Sequence, residues 1–317
     1  MSKTENNNEI QNNDIKKKKQ GYALFRKIMM WLFAALFVVF MIISIKFLIR
    51  NHKANESTSK VMGDFNEITN PGTVPDNDKP IIITPESTQN PETSSATVPE
   101  ITAPDSATEA PAETETPDED AYLKYVAECI AEAKRLKAEY PDFRAIIVIE
   151  GDTINLKYPI LQSNDNKYYV DHLIDGSKNS TGEIFLDFRN DDALLNNRNS
   201  VIYGHNMNDG TKFGQIHKYK HNDAFYTHNV TVITDEAVLT FKPFSFYKTD
   251  IYNPYTTVDF ENDAAFAEFC RSEQERSMFE SNMEFTGGER IITLSTCYGT
   301  SLTERYCMHA VLINVAK

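Results

Sequence analysis

Apolar and polar positions divide the chain into three regimes. Residues 28–45 form an unbroken apolar run without a charged side chain, and the run reaches Ile49 if Lys46 snorkels. About 20 such residues cross a bilayer core at ~1.5 Å rise each, so one membrane-spanning helix is expected over 28–49, after a tail of residues 1–27. A cleaved secretory signal has a shorter apolar core and a small-residue cleavage site; no convincing site follows here, so the segment reads as a retained anchor. Residues 51–117 lack any apolar period, and Phe65 is their only aromatic residue. From Asp118 onward the pattern is that of a folded domain, expected to occupy 119–317.

Within that domain, Leu123, Val126, Ile130, Ala133 and Leu136 keep helical spacing behind the acidic start Asp118, Glu119 and Asp120. Pro141 ends the helix. Nine short strand-like runs follow, at 145–149, 158–162, 183–187, 200–203, 229–234, 237–241, 245–252, 290–295 and 306–315. One further helix is expected at about 262–280, with Phe266, Phe269, Cys270 and Met278 on its inner face. This periodicity supports a mostly-β barrel or sandwich with peripheral helices, and goes no further.

Charge sharpens the middle regime. Of the formal net charge of −14, residues 54–120 carry −13, from 15 acidic side chains against Lys60 and Lys79. Nine of the thirteen prolines also lie between Pro71 and Pro117. Such a segment buries too little apolar surface to offset its chain entropy, so 50–118 is expected to be a disordered acidic stalk rich in Ser, Thr and Pro. The remainder is nearly neutral, which argues against a nucleic-acid partner. Lys16, Lys17, Lys18, Lys19, Arg26 and Lys27 precede the apolar run, and only Lys46, Arg50 and Lys53 flank its far end. That asymmetry predicts a cytoplasmic N terminus and an exported domain at the plasma membrane. The four cysteines form no CxxC pair or His-rich cluster, so no metal or other cofactor is expected.

Candidate chemistry sits at strand ends. Cys297 closes the run 291–296 immediately before Tyr298-Gly299, and Arg305 opens the last run eight residues later. An antiparallel turn would bring these two side chains together. His205 follows the run 200–203 by two residues. A thiolate to attack a carbonyl, an imidazole to move the proton and a guanidinium to steady the oxyanion form a coherent acyl-transfer set. Singly, each residue reads more simply as structural.

The segment Thr293-Leu294-Ser295-Thr296-Cys297, followed by Arg305-Tyr306, is similar to the TLSTC signature of the sortase family. Tyr203-Gly204-His205-Asn206-Met207 resembles that family's histidine segment. Gly182-Glu183-Ile184-Phe185-Leu186-Asp187, Phe213-Gly214, Tyr158-Pro159-Ile160-Leu161-Gln162 and Asp165-Asn166 resemble class B sortases. The resemblance covers about 121–317. It implies a closed β-barrel of about eight strands, with an N-terminal helix and another helix before the penultimate strand. It also implies Cys297 as nucleophile, His205 as general acid/base and Arg305 as oxyanion or substrate-orienting group. Such an enzyme cleaves a Thr-containing C-terminal sorting motif of surface proteins and transfers the thioacyl intermediate to an amine of the cell wall or a pilin. Two flanking residues join the candidates: Ser295, on the same face as Cys297, toward substrate, and Thr296 through its backbone N–H.

Other readings share parts of this pattern. A secreted cysteine endopeptidase would share the nucleophile and base, and a non-catalytic stalked surface protein would need neither. His309 alternates onto the face of Arg305, but two strand steps place it roughly 13 Å away. Cys307 is a conceivable disulfide partner of Cys297. His228 falls in polar surroundings and is expected at the surface.

Overall fold

The computed structural model describes residues 2–68, 119–297 and 301–317. It divides into two units, Met1–Glu56 and Ser57–Lys317. The first consists of most of a long helix, α1 (Ser2–Val61), which is apolar and long enough over Phe25–Val61 to cross a membrane.

The second unit contains the end of α1, then α2 (Gly63–Ile68), α3 (Glu119–Glu139), α4 (Asn222–Thr227), α5 (Asp263–Glu275) and eight strands. The strands are β1 (Phe143–Glu150), β2 (Asn155–Leu161), β3 (Ile184–Leu186), β4 (Asn199–Tyr203), β5 (Val230–Ile233), β6 (Val238–Asp250), β7 (Ile291–Cys297) and β8 (Glu304–Ala316). They close into a barrel in the order β1-β2-β3-β4-β7-β8-β6-β5. Pairing is antiparallel except for β2 with β3 and β4 with β7. Alternation sends Ile147, Ile202, Leu294 and Met308 into the barrel core, while Ile146 and Val148 face outward toward α3.

Eight strands replace the nine expected runs because 237–241 and 245–252 belong to one strand. The register between β6 and β8 shifts between Pro243 and Ser245. Proline supplies no ladder N–H, and the extra residue at such a bulge reverses which parity points inward. Leu239 and Phe241 therefore fill the barrel before the bulge and Phe246 fills it after, while Phe244 packs with Phe266 and Cys270 of α5. That helix starts at an Asn262 cap, whose side chain accepts from Ala265 N at 2.9 Å, and it ends at Glu275, short of the expected 280.

Residues 57–68 depart from the expected stalk. Val61, Met62 and Phe65 are at most 4% exposed and pack in one cluster with Val126, Cys129 and Ala133 of α3. The Lys157 ammonium lies 5.6 Å from the centre of the Phe65 ring. Composition averaged over a long polar window hid this short apolar face. Residues 50–56 of the expected stalk continue α1, and 69–118 lie outside the described residues. Burying three such side chains is worth on the order of 5 kcal/mol. A chain cut once at a protease site engineered within 69–118 is therefore expected to elute as one complex in detergent. Phe65→Asp should make the two fragments separate on the same column.

Candidate active site

The side chains facing away from the barrel core on β4, β7 and β8 stand in register. Tyr203 pairs with Ser295, and Ser295 with Cys307. Two residues further along, Cys297 pairs with Arg305. Gly204 N continues the parallel ladder beyond β4, donating to Ser295 O at 3.2 Å. His205 thus leaves β4 near the level where Cys297 ends β7 and Arg305 lies in the first residues of β8. Adjacent strands lie ~4.8 Å apart, so the three backbones fall within about 10 Å. Gly204 makes the approach possible: a Cβ there would lie 2.6 Å from the Phe213 ring. Phe213 N donates to His205 O at 3.0 Å and closes the loop.

His205, Arg305, Ser295 and Thr296 line one cleft of about 470 Å³, together with Asn166, Val170, Tyr203 and Tyr255. The His205 ring is oriented by a backbone group. Its Nε2 lies 2.7 Å from Val170 O, and a carbonyl only accepts, so Nε2 carries the proton. In the neutral ring Nδ1 is then the atom free to take a proton. Arg305 Nη1 donates to Leu302 O at 3.1 Å and to Glu304 O at 2.9 Å. Its other N–H donors have no partner among the described residues. Ser295 Oγ lies 2.9 Å from the hydroxyl of buried Tyr255. Thr296 Oγ1 is buried and unpartnered among the described residues.

A buried carboxylate braces one side of the cleft. Asp187 accepts from Arg189 Nη2 at 2.7 Å, from Tyr203 OH at 2.9 Å and from Asn166 Nδ2 at 2.9 Å. Arg189 Nη2 also donates to Thr256 O at 3.0 Å, in the segment after β6. Burial pushes the Asp187 carboxyl up, but the Arg189 and Tyr203 hydrogen bonds and the guanidinium charge outweigh it and hold the pKa below the ordinary 3.8. A depressed carboxylate stabilises the fold above its unfolded pKa, and that contribution is lost as pH falls through the lower folded value. Melting temperature should therefore drop below pH 3.8. Asp187→Asn should flatten this acid limb and lower stability at neutral pH, where Arg189 would lose its partner. Calorimetry between about pH 2 and pH 7 checks both outcomes.

Other sequence candidates lie elsewhere. His309 is fully buried, 3.2 Å from Glu273 Oε2 and 2.9 Å from Thr293 Oγ1, rather than facing the groove. Cys307 stands opposite Ser295, not Cys297, and is a free thiol whose pKa burial pushes well above 9.0. His228 is only 7% exposed, 2.6 Å from Thr227 Oγ1, a correction to its expected surface position. Among the described residues no cluster of His, Cys, Asp and Glu could hold a metal ion. Residue-by-residue reading had no signal for Val170, whose contribution is a carbonyl, or for Tyr255, which reaches the cleft from an irregular segment.

Residues 149–313 match the family model for the sortase domain. Sortase B of Staphylococcus aureus is 30% identical over 187 residues, covering 56% of this chain and 76% of that protein. Sortase B of Listeria monocytogenes is 37% identical over 145 residues, covering 45% of this chain and 58% of that protein. The match to the Listeria protein thus spans under two thirds of its length. A solved sortase B complexed with triglycine superposes with a TM-score of 0.53 at 29% identity, covering 58% of this chain and 86% of that one. With the family model matched across more than half of its length and both relatives named as sortase B, this chain belongs to the sortase family.

Proposed function

We propose that this protein is a membrane-anchored cysteine transpeptidase that cuts a Thr-containing sorting motif near the C terminus of surface proteins and joins the new end to an amine. The Cys297 thiolate attacks the scissile carbonyl, and the C–N bond breaks as His205 delivers a proton to the departing amine. The resulting thioester on Cys297 is attacked by the acceptor amine, His205 takes up its proton, and the thiolate leaves. Arg305 steadies the oxyanion in both halves, while Ser295 and the Thr296 backbone N–H face the substrate. The observation that carries this reading is the pairing of Cys297 with Arg305 at neighbouring strand ends, with His205 and Arg305 lining one cleft. Three groups of the required kinds at adjacent strand ends suit covalent acyl transfer.

The basic residues before the apolar helix favour a cytoplasmic N terminus and a catalytic unit outside the plasma membrane. A relative complexed with triglycine favours a peptide amine as acceptor, of cell-wall or pilin origin. The test incubates purified enzyme with a sorting-motif peptide, with and without triglycine, and reads the products by mass spectrometry. A triglycine conjugate that depends on Cys297 is expected. Hydrolysis alone, unchanged by the amine, would replace transpeptidation with an endopeptidase activity.

A further inference from the structure

We propose that the buried Glu273–His309 pair is a positioning site for the cleft, acting through Thr293 and Asn199 on the Thr257 carbonyl. The proposal rests on the peptide-cleft reading above, but concerns a part of the fold that the reaction does not touch.

Proton bookkeeping gives the connection a direction. Asn199 Nδ2 lies 2.9 Å from Thr257 O, and a carbonyl only accepts, so the amide N–H₂ faces Thr257 and the amide oxygen faces Thr293. The Thr293 hydroxyl therefore donates to Asn199 Oδ1, at 2.7 Å. With its proton committed, Thr293 Oγ1 accepts from His309 Nδ1–H at 2.9 Å. The other ring nitrogen faces Glu273 Oε2 at 3.2 Å.

Other polar groups surround the pair. The Tyr247 hydroxyl donates to Glu273 Oε2, and Arg276 Nη1 lies 3.6 Å from Oε1. The Cys307 sulfur is 3.1 Å from His309 Nε2, and burial keeps it a neutral thiol. Glu273 and His309 are 1% and 0% exposed. Burying two charges is costlier than burying an apolar pair of the same volume, so such a pair is weak evidence for stability alone. What it supplies here is a one-way series of hydrogen bonds with a fixed end.

That end is the cleft wall. Thr257 N and Oγ1 both donate to Pro254 O, at 3.0 and 2.6 Å, closing the turn that carries Tyr255 and Thr256 into the cleft. Thr256 O is held by Arg189 and Thr257 O by Asn199. Two consecutive carbonyls of a segment outside any helix or strand are thus tied to two separate ion pairs, each with a buried carboxylate. A wall held at both carbonyls presents Tyr255 in one place, and its hydroxyl meets Ser295 at 2.9 Å.

Thr293→Val cuts the series at its middle with little change in shape and suits a strand. Thr293→Ser keeps the hydroxyl and is the rescue. In Thr293→Val, amide exchange in 251–257 is expected to quicken about tenfold while barrel amides keep their protection. The KM for the sorting-motif peptide should rise about five- to tenfold with kcat within twofold, the range for one lost hydrogen bond. Thr293→Ser should match wild type. Adding His309→Gln to Thr293→Val should raise KM no further, because both act through one series. Unchanged exchange in 251–257 would overturn the proposal without reference to activity. Faster exchange with unchanged KM, or a fall confined to kcat, would overturn the role in peptide binding. Wild-type enzyme inert toward the peptide would count against the proposed function instead, while exchange still decides the brace. Should His309→Gln fail to fold, Thr293→Val and Thr293→Ser still decide the question.

Discussion

Cys297→Ala is expected to abolish both cleavage and amine transfer, a loss of at least ~10⁴-fold, with melting temperature close to wild type. Alanine offers no atom to form the thioester, so the two-step route disappears rather than slows. No other cysteine can stand in. Cys129, Cys270 and Cys307 are all 0% exposed, and burial raises each thiol, that of Cys129 to about 11 and that of Cys270 to about 12. Cys307 is the neighbouring thiol by strand register, but it sits beneath Tyr247 and Tyr255 in a small apolar cluster. A small alkylating agent should accordingly label one cysteine of the native wild-type enzyme, identified as Cys297 by peptide mapping, and none in Cys297→Ala. Turnover that survives in the alanine variant would remove the proposed mechanism, and native labelling at Cys307 would contradict its burial.

Arg305→Lys is expected to lower the rate of Cys297 acylation by about 10²–10³-fold, close to the loss in Arg305→Ala. A role in charge alone would predict a mild effect, since lysine keeps the charge. The geometry argues otherwise. Arg305 spends Nη1 on two backbone carbonyls, Leu302 O and Glu304 O, which fixes the plane of the guanidinium. Its remaining donors then point in set directions from a residue that lines the cleft. Lysine has one rotating ammonium, and if it binds the loop carbonyls it leaves no fixed donor for an oxyanion. Single-turnover acylation by the sorting-motif peptide, read by mass spectrometry, measures the effect. Alkylation of Cys297 by a small reagent should be nearly unchanged in the same variant, because that reaction generates no tetrahedral oxyanion. Near wild-type acylation would reduce Arg305 to a point charge.

How much of this was legible without coordinates depended on the range of the interaction concerned. The apolar helix, the capped start of α5 and most strand positions follow from neighbours within one turn or one strand. So does the location of Cys297, Arg305 and His205 at strand ends, where Thr293-Leu294-Ser295-Thr296-Cys297 and Tyr203-Gly204-His205 could be read directly. The local pattern erred where a short signal was averaged away, as at Val61, Met62 and Phe65, or where parity changed mid-strand, as at the Pro243–Ser245 bulge.

The residue types at those ends, the apolar segment and the mostly-β class can be read from the chain alone, because each is written in contiguous residues. The three-dimensional arrangement alone sets β4 parallel to β7, which brings His205 level with Cys297 across 92 positions of chain numbering. It also decided that Val170 offers its carbonyl to the imidazole, and that His309 is sealed against Glu273 instead of facing the cleft. Those outcomes depend on barrel closure, in which strands remote in sequence take one register and a backbone carbonyl, identical in every residue, acquires a role from its position alone.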